Sequence, residues 1–359
     1  MRPLVATVDL AALRHNYQLA KQCAPRRKAF AVVKANAYGH GAPAAVECLR
    51  GLADGFAVAS LEEAEQVRSV DASARLLLLE GCFEPNEYAA AAALGLDVTI
   101  QGEAQLDALL AADIERPLNL WLKLDSGMHR LGFSADALRR AHARLQGAHQ
   151  VAELNLMSHF ACADERGNPL NEAQLEQFSG LLDLAFDNRS FANSAAVLTL
   201  SAAHMDWLRP GIMLYGASPF AELSAKTLGL KPVMTLTASI IAIRDVEAGA
   251  SVGYGAGWVA QRASRIATVS CGYADGYPRT APPGTCVSIL GQRAPLAGRV
   301  SMDMLAVDIT DLPPAGLGDA VELWGNEIPI DELAQACGTI GYELLTKVTQ
   351  RVPRRYING

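Results

Sequence analysis

Over the first two-thirds of this chain, apolar residues fall into short continuous runs that alternate with stretches of helical periodicity. The run AFAVVK (29–34) precedes the helix-like APAAVECLRG. The run GFAVAS (55–60) precedes LEEAEQVRSV, where Ser60 and Glu63 have the spacing of a capping box. Runs of about five apolar residues are typical of parallel strands covered by helices. The runs lie at 29–34, 55–60, 75–81, 96–102, 118–125, 153–161, 189–195 and 211–217.

Eight such runs within about 220 residues, each followed by a crossover, have the dimensions of a (β/α)₈ barrel. A doubly wound open sheet is the alternative. From residue 233 the pattern changes to β-branched runs separated by Gly and Pro turns, and helical periodicity returns only at IDELAQACG. We therefore predict an α/β chain with an N-terminal (β/α)₈ barrel (1–232) followed by a C-terminal, mainly β domain (233–359). The first few residues could pack with the second domain.

Composition and charge narrow the class of protein. Of the 359 residues, half are apolar and only 19% are charged, which argues against disorder. A net charge of −7 without a basic patch makes nucleic acid and anionic membranes poor partners. The N-terminus lacks a secretory signal pattern, and no run reaches the roughly 18 apolar residues of a membrane helix. The seven cysteines show no CxxC spacing, so neither a zinc site nor a disulfide framework is expected. These features predict a cytoplasmic enzyme without a metal.

The segment AVVKANAYGHG (31–41) places Lys34 at the end of the first predicted barrel strand. In barrel enzymes, chemistry is carried by the C-terminal ends of the strands. A lone lysine is usually a solvated surface group, but Tyr38 and the two glycines that follow indicate a tight loop that approaches a ligand. Desolvation lowers the pKa of an ammonium group toward neutrality, so Lys34 is a candidate Schiff-base lysine.

The same segment resembles the cofactor-lysine segment of the pyridoxal-phosphate-dependent alanine racemases. Further blocks resemble that family's blocks in the same order, over nearly the whole chain. They are KLDSGMHRLGF (123–133), LMSHFACAD (156–164), WLRPGIMLYG (207–216), VGYGAGW (252–258), CGYADGYPR (271–279) and GRVSMDM (298–304). The resemblance implies an isomerase that interconverts L-alanine and D-alanine with pyridoxal 5′-phosphate as cofactor.

By this resemblance, two bases act on opposite faces of the substrate. Lys34 would hold the cofactor as an internal aldimine and serve the D-face. Tyr254 would serve the L-face, acting on the external aldimine of the partner subunit, so that a homodimer shares its active sites. Two bases make chemical sense, because racemisation removes the α-proton from one face and returns a proton to the other. Without the resemblance, Tyr254 would be read as a turn tyrosine between glycines.

The resemblance also assigns the groups around the cofactor ring. Arg209 would face the pyridine nitrogen; it stays charged and donates no proton, which leaves that nitrogen unprotonated and disfavours transamination. His159 would orient Arg209. Taken alone, Arg209 could pair with a surface carboxylate, and His159 could be structural.

Phosphate contacts are implied for Tyr38, for Ser194, and for the backbone amides of Gly211 and Ile212. Hydroxyl and backbone donors near the last strands suit the usual phosphate site of a barrel. One departure lies in TQRVPR, where Gln350 stands in place of the tyrosine that many relatives carry beside the phosphate.

Substrate recognition would fall to Arg130, whose guanidinium suits an α-carboxylate, and to the backbone of Met302 from the partner chain. Tyr273 resembles an entrance residue contributed across the dimer. Lys123 matches a lysine that some relatives carbamylate. From spacing alone, pairing of Lys123 with Asp125 is the simpler interpretation.

Three alternative functions compete with this interpretation. Racemases of broader specificity tend to be exported, whereas the N-terminus here lacks a secretory signal pattern. Decarboxylases of this architecture carry a carboxylate at the pyridine nitrogen, and Arg209 argues against them. A non-catalytic pyridoxal-phosphate carrier would lack the β domain and with it Tyr254. Both a biosynthetic role, supplying D-alanine as a peptidoglycan precursor, and a role in alanine catabolism are compatible with the sequence.

Overall fold

The computed structural model describes residues 2–312 and 314–359. These residues form two compact units. One unit, the barrel unit, comprises Arg14–Ala37 and Ala42–Leu214. The other, the β unit, comprises residues 2–13, 38–41 and 215–359 without residue 313. In the described residues, no helix is both long and apolar enough to cross a membrane.

After strand β1 (Leu4–Asp9), eight parallel strands close into a barrel in chain order. They are β2 (Lys28–Val32), β3 (Gly55–Val58), β4 (Leu76–Leu78), β5 (Asp97–Ile100), β6 (Leu118–Lys123), β7 (Val151–Met157), β8 (Arg189–Ser190) and β9 (Trp207–Leu208). The ring closes where Ala29 pairs with Leu208. The closed barrel confirms the predicted fold and rules out the open sheet.

The predicted eighth strand is in the wrong place. The run 211–217 was expected to be a strand, but β9 ends at Leu208 and Ile212–Tyr215 forms a 3₁₀ turn. Pro210 has no N–H to donate to a strand partner. Beyond it, Gly211 N and Met213 N donate to the Ser194 hydroxyl, at 2.8 and 3.3 Å, instead of to a neighbouring strand. A short buried apolar run does not by itself distinguish a strand from a turn of helix.

Helices follow most of the barrel strands. They are Ala42–Leu49, Leu61–Val70, Glu87–Ala93, Glu103–Ala111, Ala135–Leu145, Pro169–Ser179 and Ser194–Thr199, with a 3₁₀ turn at Ser201–Ala203. A further helix, Leu10–Cys23, connects β1 to β2. Ser60 caps Leu61–Val70 as predicted and accepts from Glu63 N at 3.5 Å. The second half of the capping box differs, because the Glu63 carboxylate accepts from Ala59 N at 2.8 Å.

Large aromatic side chains and one buried carboxylate fill the barrel interior. The ring of Phe30 stacks on Trp207 with 4.0 Å between centroids and meets Trp121 edge-on at 5.9 Å. Asp97 accepts from Arg75 Nε and Trp121 Nε1, both at 2.8 Å. The barrel is therefore a packed core rather than a pore, as its strand number predicts.

The β unit is built on a long strand, β10 (Met234–Val246), which pairs antiparallel with β1, so that Leu4 lies opposite Ala238. The other strands are β11 (Ser251–Val252), β12 (Trp258–Val259), β13 (Ser264–Val269), β14 (Cys286–Ile289), β15 (Gln292–Pro295), β16 (Leu305–Asp308), β17 (Ala320–Trp324) and β18 (Arg354–Ile357).

The path through the main sheet is β15-β14-β17-β10-β1-β18. Off this path, β13 pairs with β10, and β16 pairs with β13. The chain's last strand, β18, pairs in parallel with β1. Two helices, Ile330–Ala336 and Gly341–Thr346, accompany the sheet; only the first was expected from the sequence. The mainly β character predicted for this part of the chain is confirmed.

Candidate active site

Lys34 begins a left-handed helical turn that follows β2. Ala35, Asn36 and Ala37 have φ of 52° to 53°, and Tyr38 has φ of 51°. Left-handed conformations cost L residues roughly 1–2 kcal/mol each, so four in succession need strong support from their surroundings. The turn gives the chain an abrupt change of direction immediately after the lysine.

Three hydrogen bonds within the barrel unit hold this turn. Ala37 N donates to Val33 O at 2.8 Å, and the Asn36 side chain accepts from Ala42 N at 2.8 Å. Glu63 accepts from Ala35 N at 2.6 Å. The same carboxylate that enters the neighbouring helix cap therefore also fixes the peptide next to Lys34. Sequence reasoning assigned Glu63 only to the cap.

Arg209 directly follows β9 and is 4% exposed. Its guanidinium donates to the Ser190 hydroxyl and, at 2.5 Å, to Ser158 O. Burial lowers the pKa of Arg209 to about 10, which still leaves the group charged at neutral pH. No carboxylate is among its hydrogen-bond partners in the described part of the chain, so the surface ion pair considered for Arg209 does not form.

His159 lies at the end of β7, two residues beyond Met157, and its Nδ1 is 3.5 Å from Arg209 Nη2. This distance is the outer limit of a hydrogen bond. Burial, followed by the positive charges of Arg209 and Lys123, lowers the pKa of His159 well below its ordinary value. The ring is therefore neutral near pH 7 and can accept from the arginine.

Lys123, at the end of β6, is 8% exposed. Burial is the largest cause that lowers its pKa to about 8, and the charges of Arg209 and Arg130 lower it further. Arg130 itself lies on an exposed position of the following loop.

The predicted ion pair between Lys123 and Asp125 is wrong. Asp125 Oδ1 accepts from the amides of Gly127 and His129, both at 3.0 Å, and Oδ2 lies 3.1 Å from the His129 ring. The carboxylate thus closes its own loop, and Lys123 has no ion-pair partner among the residues described here. An ammonium left uncompensated at a buried position is readily deprotonated.

Of the four predicted phosphate contacts, three lie together. The buried Ser194 hydroxyl accepts from Gly211 N, and Ile212 follows with a fully buried side chain. Because this hydroxyl accepts from protein amides, its own proton remains available to an anion. Tyr38 belongs to the β unit, where its ring stacks on Tyr215 with 4.7 Å between centroids.

The mouth of the barrel carries an excess of positive charge. Lys34, Lys123, Arg130 and Arg209 all lie near enough to His159 for their charges to lower its pKa. Cations so close together repel one another, and an anionic ligand relieves that repulsion. A phosphate ester next to Ser194 and a substrate carboxylate would both fit this donor set. The groups present therefore suit pyridoxal phosphate and an amino acid.

The β unit carries its site candidates on exposed loops. Tyr254 is 69% exposed and is the first residue of the 3₁₀ turn Tyr254–Ala256. Its two neighbours, Gly253 and Gly255, have φ of 77° and 70°. A Cβ on Gly255 would approach the guanidinium of Arg299 to 3.0 Å, so the turn lies against the segment that leads to Met302.

Tyr273 and Met302 come together in the same unit. Tyr273 N donates to Ser301 O at 3.0 Å, and Ala274 N donates to Met302 O at 3.0 Å. Their side chains are 37% and 54% exposed.

These two loops rest on a buried carboxylate that sequence reasoning missed. Asp275 is fully buried. It accepts from Arg2 at 2.6 and 2.8 Å and from Gly272 N at 2.9 Å, and it forms an ion pair with Arg351 Nε at 2.9 Å. Arg2 and Arg351 lie 273 and 76 positions from Asp275 in the chain, so no local pattern points to the cluster.

Both parts of the chain match models of known families. The "Alanine racemase, N-terminal domain" model matches residues 8–219, and the "Alanine racemase, C-terminal domain" model matches residues 233–356. The alanine racemase of Stutzerimonas stutzeri (strain A1501) is 77% identical over 357 residues, which are 99% of this chain and 100% of that protein. The biosynthetic alanine racemase of Pseudomonas aeruginosa is 70% identical over 99% of both chains.

Solved structures agree. The crystal structure of the biosynthetic alanine racemase from Pseudomonas aeruginosa matches with a TM-score of 0.98 at 69% identity, covering 100% of both chains. An alanine racemase from Bartonella henselae with covalently bound pyridoxal phosphate matches with a TM-score of 0.91 at 31% identity, covering 99% of this chain and 100% of that one. The chain belongs to the alanine racemase family, pyridoxal-phosphate-dependent isomerases that interconvert L- and D-alanine.

Proposed function

We propose that this chain is an alanine racemase that works with pyridoxal 5′-phosphate, through a two-base mechanism in a cytoplasmic homodimer. The observation that carries the proposal is whole-length identity of 77% to an alanine racemase. The 70% identity to a relative named as biosynthetic favours a role in supplying D-alanine, as a peptidoglycan precursor, over alanine catabolism.

The bound cofactor would withdraw electrons from the substrate's α-carbon and so acidify the α-proton. The protein's part is to hold this group and to handle the proton. Lys34 would be its covalent attachment point. The Ser194 hydroxyl, the amides of Gly211 and Ile212, and the phenol of Tyr38 would bind the phosphate. In support, Ser194 accepts from Gly211 N at 2.8 Å and keeps its own proton for an anion.

Arg209 would face the ring nitrogen of the cofactor. With a pKa of about 10, the guanidinium retains its proton near neutral pH and does not transfer it, so that the ring nitrogen would stay unprotonated. By keeping that nitrogen without a proton, Arg209 would favour return of the proton to the α-carbon over transamination. His159, neutral because of burial and neighbouring cations, would accept from Arg209 and orient it.

Two groups would carry the proton. The Lys34 amine would exchange it on the face of D-alanine. The phenol oxygen of Tyr254, offered by the other copy of the chain, would exchange it on the face of L-alanine. The 69% exposure of Tyr254 within one chain supports this reading, since an exposed phenol is accessible to a second subunit.

Substrate binding would use the Arg130 guanidinium for the α-carboxylate, together with the Met302 backbone and Tyr273 from the partner. We further propose that Lys123 is carbamylated. Its pKa of about 8 supplies the neutral amine that reacts with carbon dioxide, and the resulting anion would offset the charges of Arg130 and Arg209. Intact-protein mass and peptide mapping of active enzyme test this: an unmodified Lys123 would end the idea.

The activity is tested with purified protein, pyridoxal phosphate and a panel of L-amino acids, followed by chiral analysis of the products. We expect D-alanine from L-alanine and clearly slower turnover of larger side chains. Formation of amines or keto acids as main products, or no turnover of alanine, would overturn the proposal.

Shared active sites are tested by mixing two inactive variants, Lys34→Ala and Tyr254→Phe. Each hybrid dimer contains one doubly altered site and one site with both natural groups. Statistical exchange of subunits should therefore restore about a quarter of natural activity. Mixing either variant with itself is the control and should restore nothing. If the mixture stays inactive although mass analysis detects hybrids, each site is complete within one chain.

A further inference from the structure

We propose that Arg354 positions the loop of Tyr38 for phosphate binding, so that the last strand of the chain takes part in holding the cofactor. The inference rests on the proposed function, in which Tyr38 contacts the phosphate. Arg354 is a positioning residue here, since it acts through the loop and not on the cofactor. All contacts that carry it lie within the β unit.

The guanidinium of Arg354 is shared among backbone carbonyls from two segments. Nη2 and Nε donate to Gly39 O at 3.0 and 3.2 Å, next to Tyr38. The remaining bonds, of 2.6 to 2.8 Å, reach the carbonyls of Val348, Thr349 and Val352. Five N–H groups in a rigid plane suit such a task, which the single ammonium of a lysine cannot reproduce.

The Tyr38 loop lies directly on the C-terminal part of the chain. A Cβ added to Gly39 would come within 2.2 Å of Leu345 O, and one added to Gly41 within 2.0 Å of the Tyr356 hydroxyl. That hydroxyl also donates to His40 O at 3.2 Å. A loop with so little clearance can adopt few positions, and Arg354 makes two hydrogen bonds to its backbone.

The second segment held by Arg354 contains Gln350. The carbonyls of Thr349 and Val352, on either side of Gln350, both accept from Nη1. Arg354 is itself fixed by its strand, which pairs in parallel with β1 so that Arg354 lies opposite Ala6. One guanidinium thus holds the backbone next to Tyr38 and the backbone on both sides of Gln350.

The experiment compares Arg354→Lys with the matched control Arg355→Lys. Arg355 is the next residue of the same strand, and its guanidinium donates to the Thr7 hydroxyl at 3.0 Å instead of to the loop. The full-length apoenzyme of each variant is titrated with pyridoxal phosphate and, separately, with pyridoxal, which lacks the phosphate. Far-UV circular dichroism and sedimentation check the fold.

For Arg354→Lys we expect the dissociation constant of pyridoxal phosphate to rise about tenfold, as loss of well-placed hydrogen bonds implies, and that of pyridoxal to change less than about twofold. Arg355→Lys should change neither. Tyr356→Phe, which removes one bond to the loop, should weaken pyridoxal phosphate by about twofold to threefold and decides the matter if Arg354→Lys does not fold. Equal weakening of both ligands, or none, would overturn the inference.

Tyr38→Phe separates this inference from the proposed function. If Arg354 acts through Tyr38, the effects of Arg354→Lys and Tyr38→Phe on affinity should be clearly less than additive. Weak binding by Tyr38→Phe with full additivity refutes the role of Arg354 and leaves the phosphate contact of Tyr38 intact. Unchanged binding by Tyr38→Phe refutes the phosphate contact and the inference together.

Discussion

The candidate site residues of the barrel mouth and those on the loops of the β unit differ in solvent exposure. Arg209, Lys123 and Ser194 are buried, and the two basic side chains among them have lowered pKa values. Tyr254 and Met302 are more than half exposed. The first set is therefore buried, whereas the side chains of Tyr254 and Met302 lie on exposed loops of the β unit.

This difference separates two tasks. A cofactor site needs desolvated, fixed charges, because these set the electronic state of the bound group without reorganisation. A side chain that acts on the site of another subunit needs a fixed backbone and a solvent-exposed functional group. Substitutions at the barrel mouth should therefore change the cofactor itself, and substitutions on the β-unit loops should change the reaction while the cofactor stays bound.

Lys34→Ala should have the largest effect, on the barrel side. The covalent attachment disappears, and racemisation falls by at least about a thousandfold, since a catalytic base is lost as well. Visible absorbance and borohydride reduction followed by peptide mass analysis measure the attachment. Lys28→Ala, at the start of the preceding strand β2, is the control and should keep both properties. A reduced adduct on any other lysine would contradict the assignment.

Tyr254→Phe should keep the cofactor and lower racemisation by about 10²- to 10⁴-fold. Because the enantiomers have equal free energy, kcat/KM must fall equally in both directions. The asymmetry appears instead in exchange of the α-deuterium with water, which should survive for D-alanine and vanish for L-alanine. Tyr88→Phe, whose natural hydroxyl donates to Gln105 O at 2.9 Å outside the proposed site, serves as control. Loss of exchange from both enantiomers would refute the two-base assignment.

Arg209→Glu should change the products of the reaction more than it changes cofactor binding. A carboxylate beside the ring nitrogen favours its protonation, so more turnovers should end in transamination. The keto acid formed from alanine during prolonged turnover measures this partition. Arg209→Lys keeps the positive charge and should produce much less of it. An unchanged ratio of keto acid to racemised alanine in the Glu variant would contradict the electronic role.

Lys123→Met should have the smallest effect, on stability. The folded-state pKa of about 8 lies below the ordinary 10.5, so the buried charge destabilises the natural protein fully below pH 8 and progressively less up to 10.5. In buffers free of carbon dioxide the variant should be more stable by at most about 3 kcal/mol at neutral pH, with an advantage that fades across that interval. Thermal midpoints against pH measure it. A pH-independent difference would argue against a buried charge.

Much of the barrel was predictable, because parallel strands covered on both sides read as continuous apolar runs. The predicted position of the eighth strand was wrong, because the apolar run after Pro210 donates a backbone hydrogen bond to the Ser194 hydroxyl. No local sequence pattern reveals that bond. The predicted position of Lys34 at a strand end was right, but Ala35 and Ala37 carry no signal for a left-handed turn.

The remaining omissions share one cause. Arg354 bonds Gly39 across 315 positions, and Arg2 bonds Asp275 across 273. Such pairs depend on the sheet that joins β1, β10 and β18, so they exist only once strands from both ends of the chain are assembled. Motif resemblance identified residues that would touch ligands, but not the side chains that hold those residues in place.

The left-handed turn after Lys34 has a consequence for how its variants will behave. Exchanging Ala35 or Ala37 for glycine would remove a steric penalty, yet it would also enlarge the freedom of the unfolded chain by a comparable amount. Melting curves would then barely register the change. Only a probe of the orientation of the Lys34 side chain would reveal that its backbone had become less restricted.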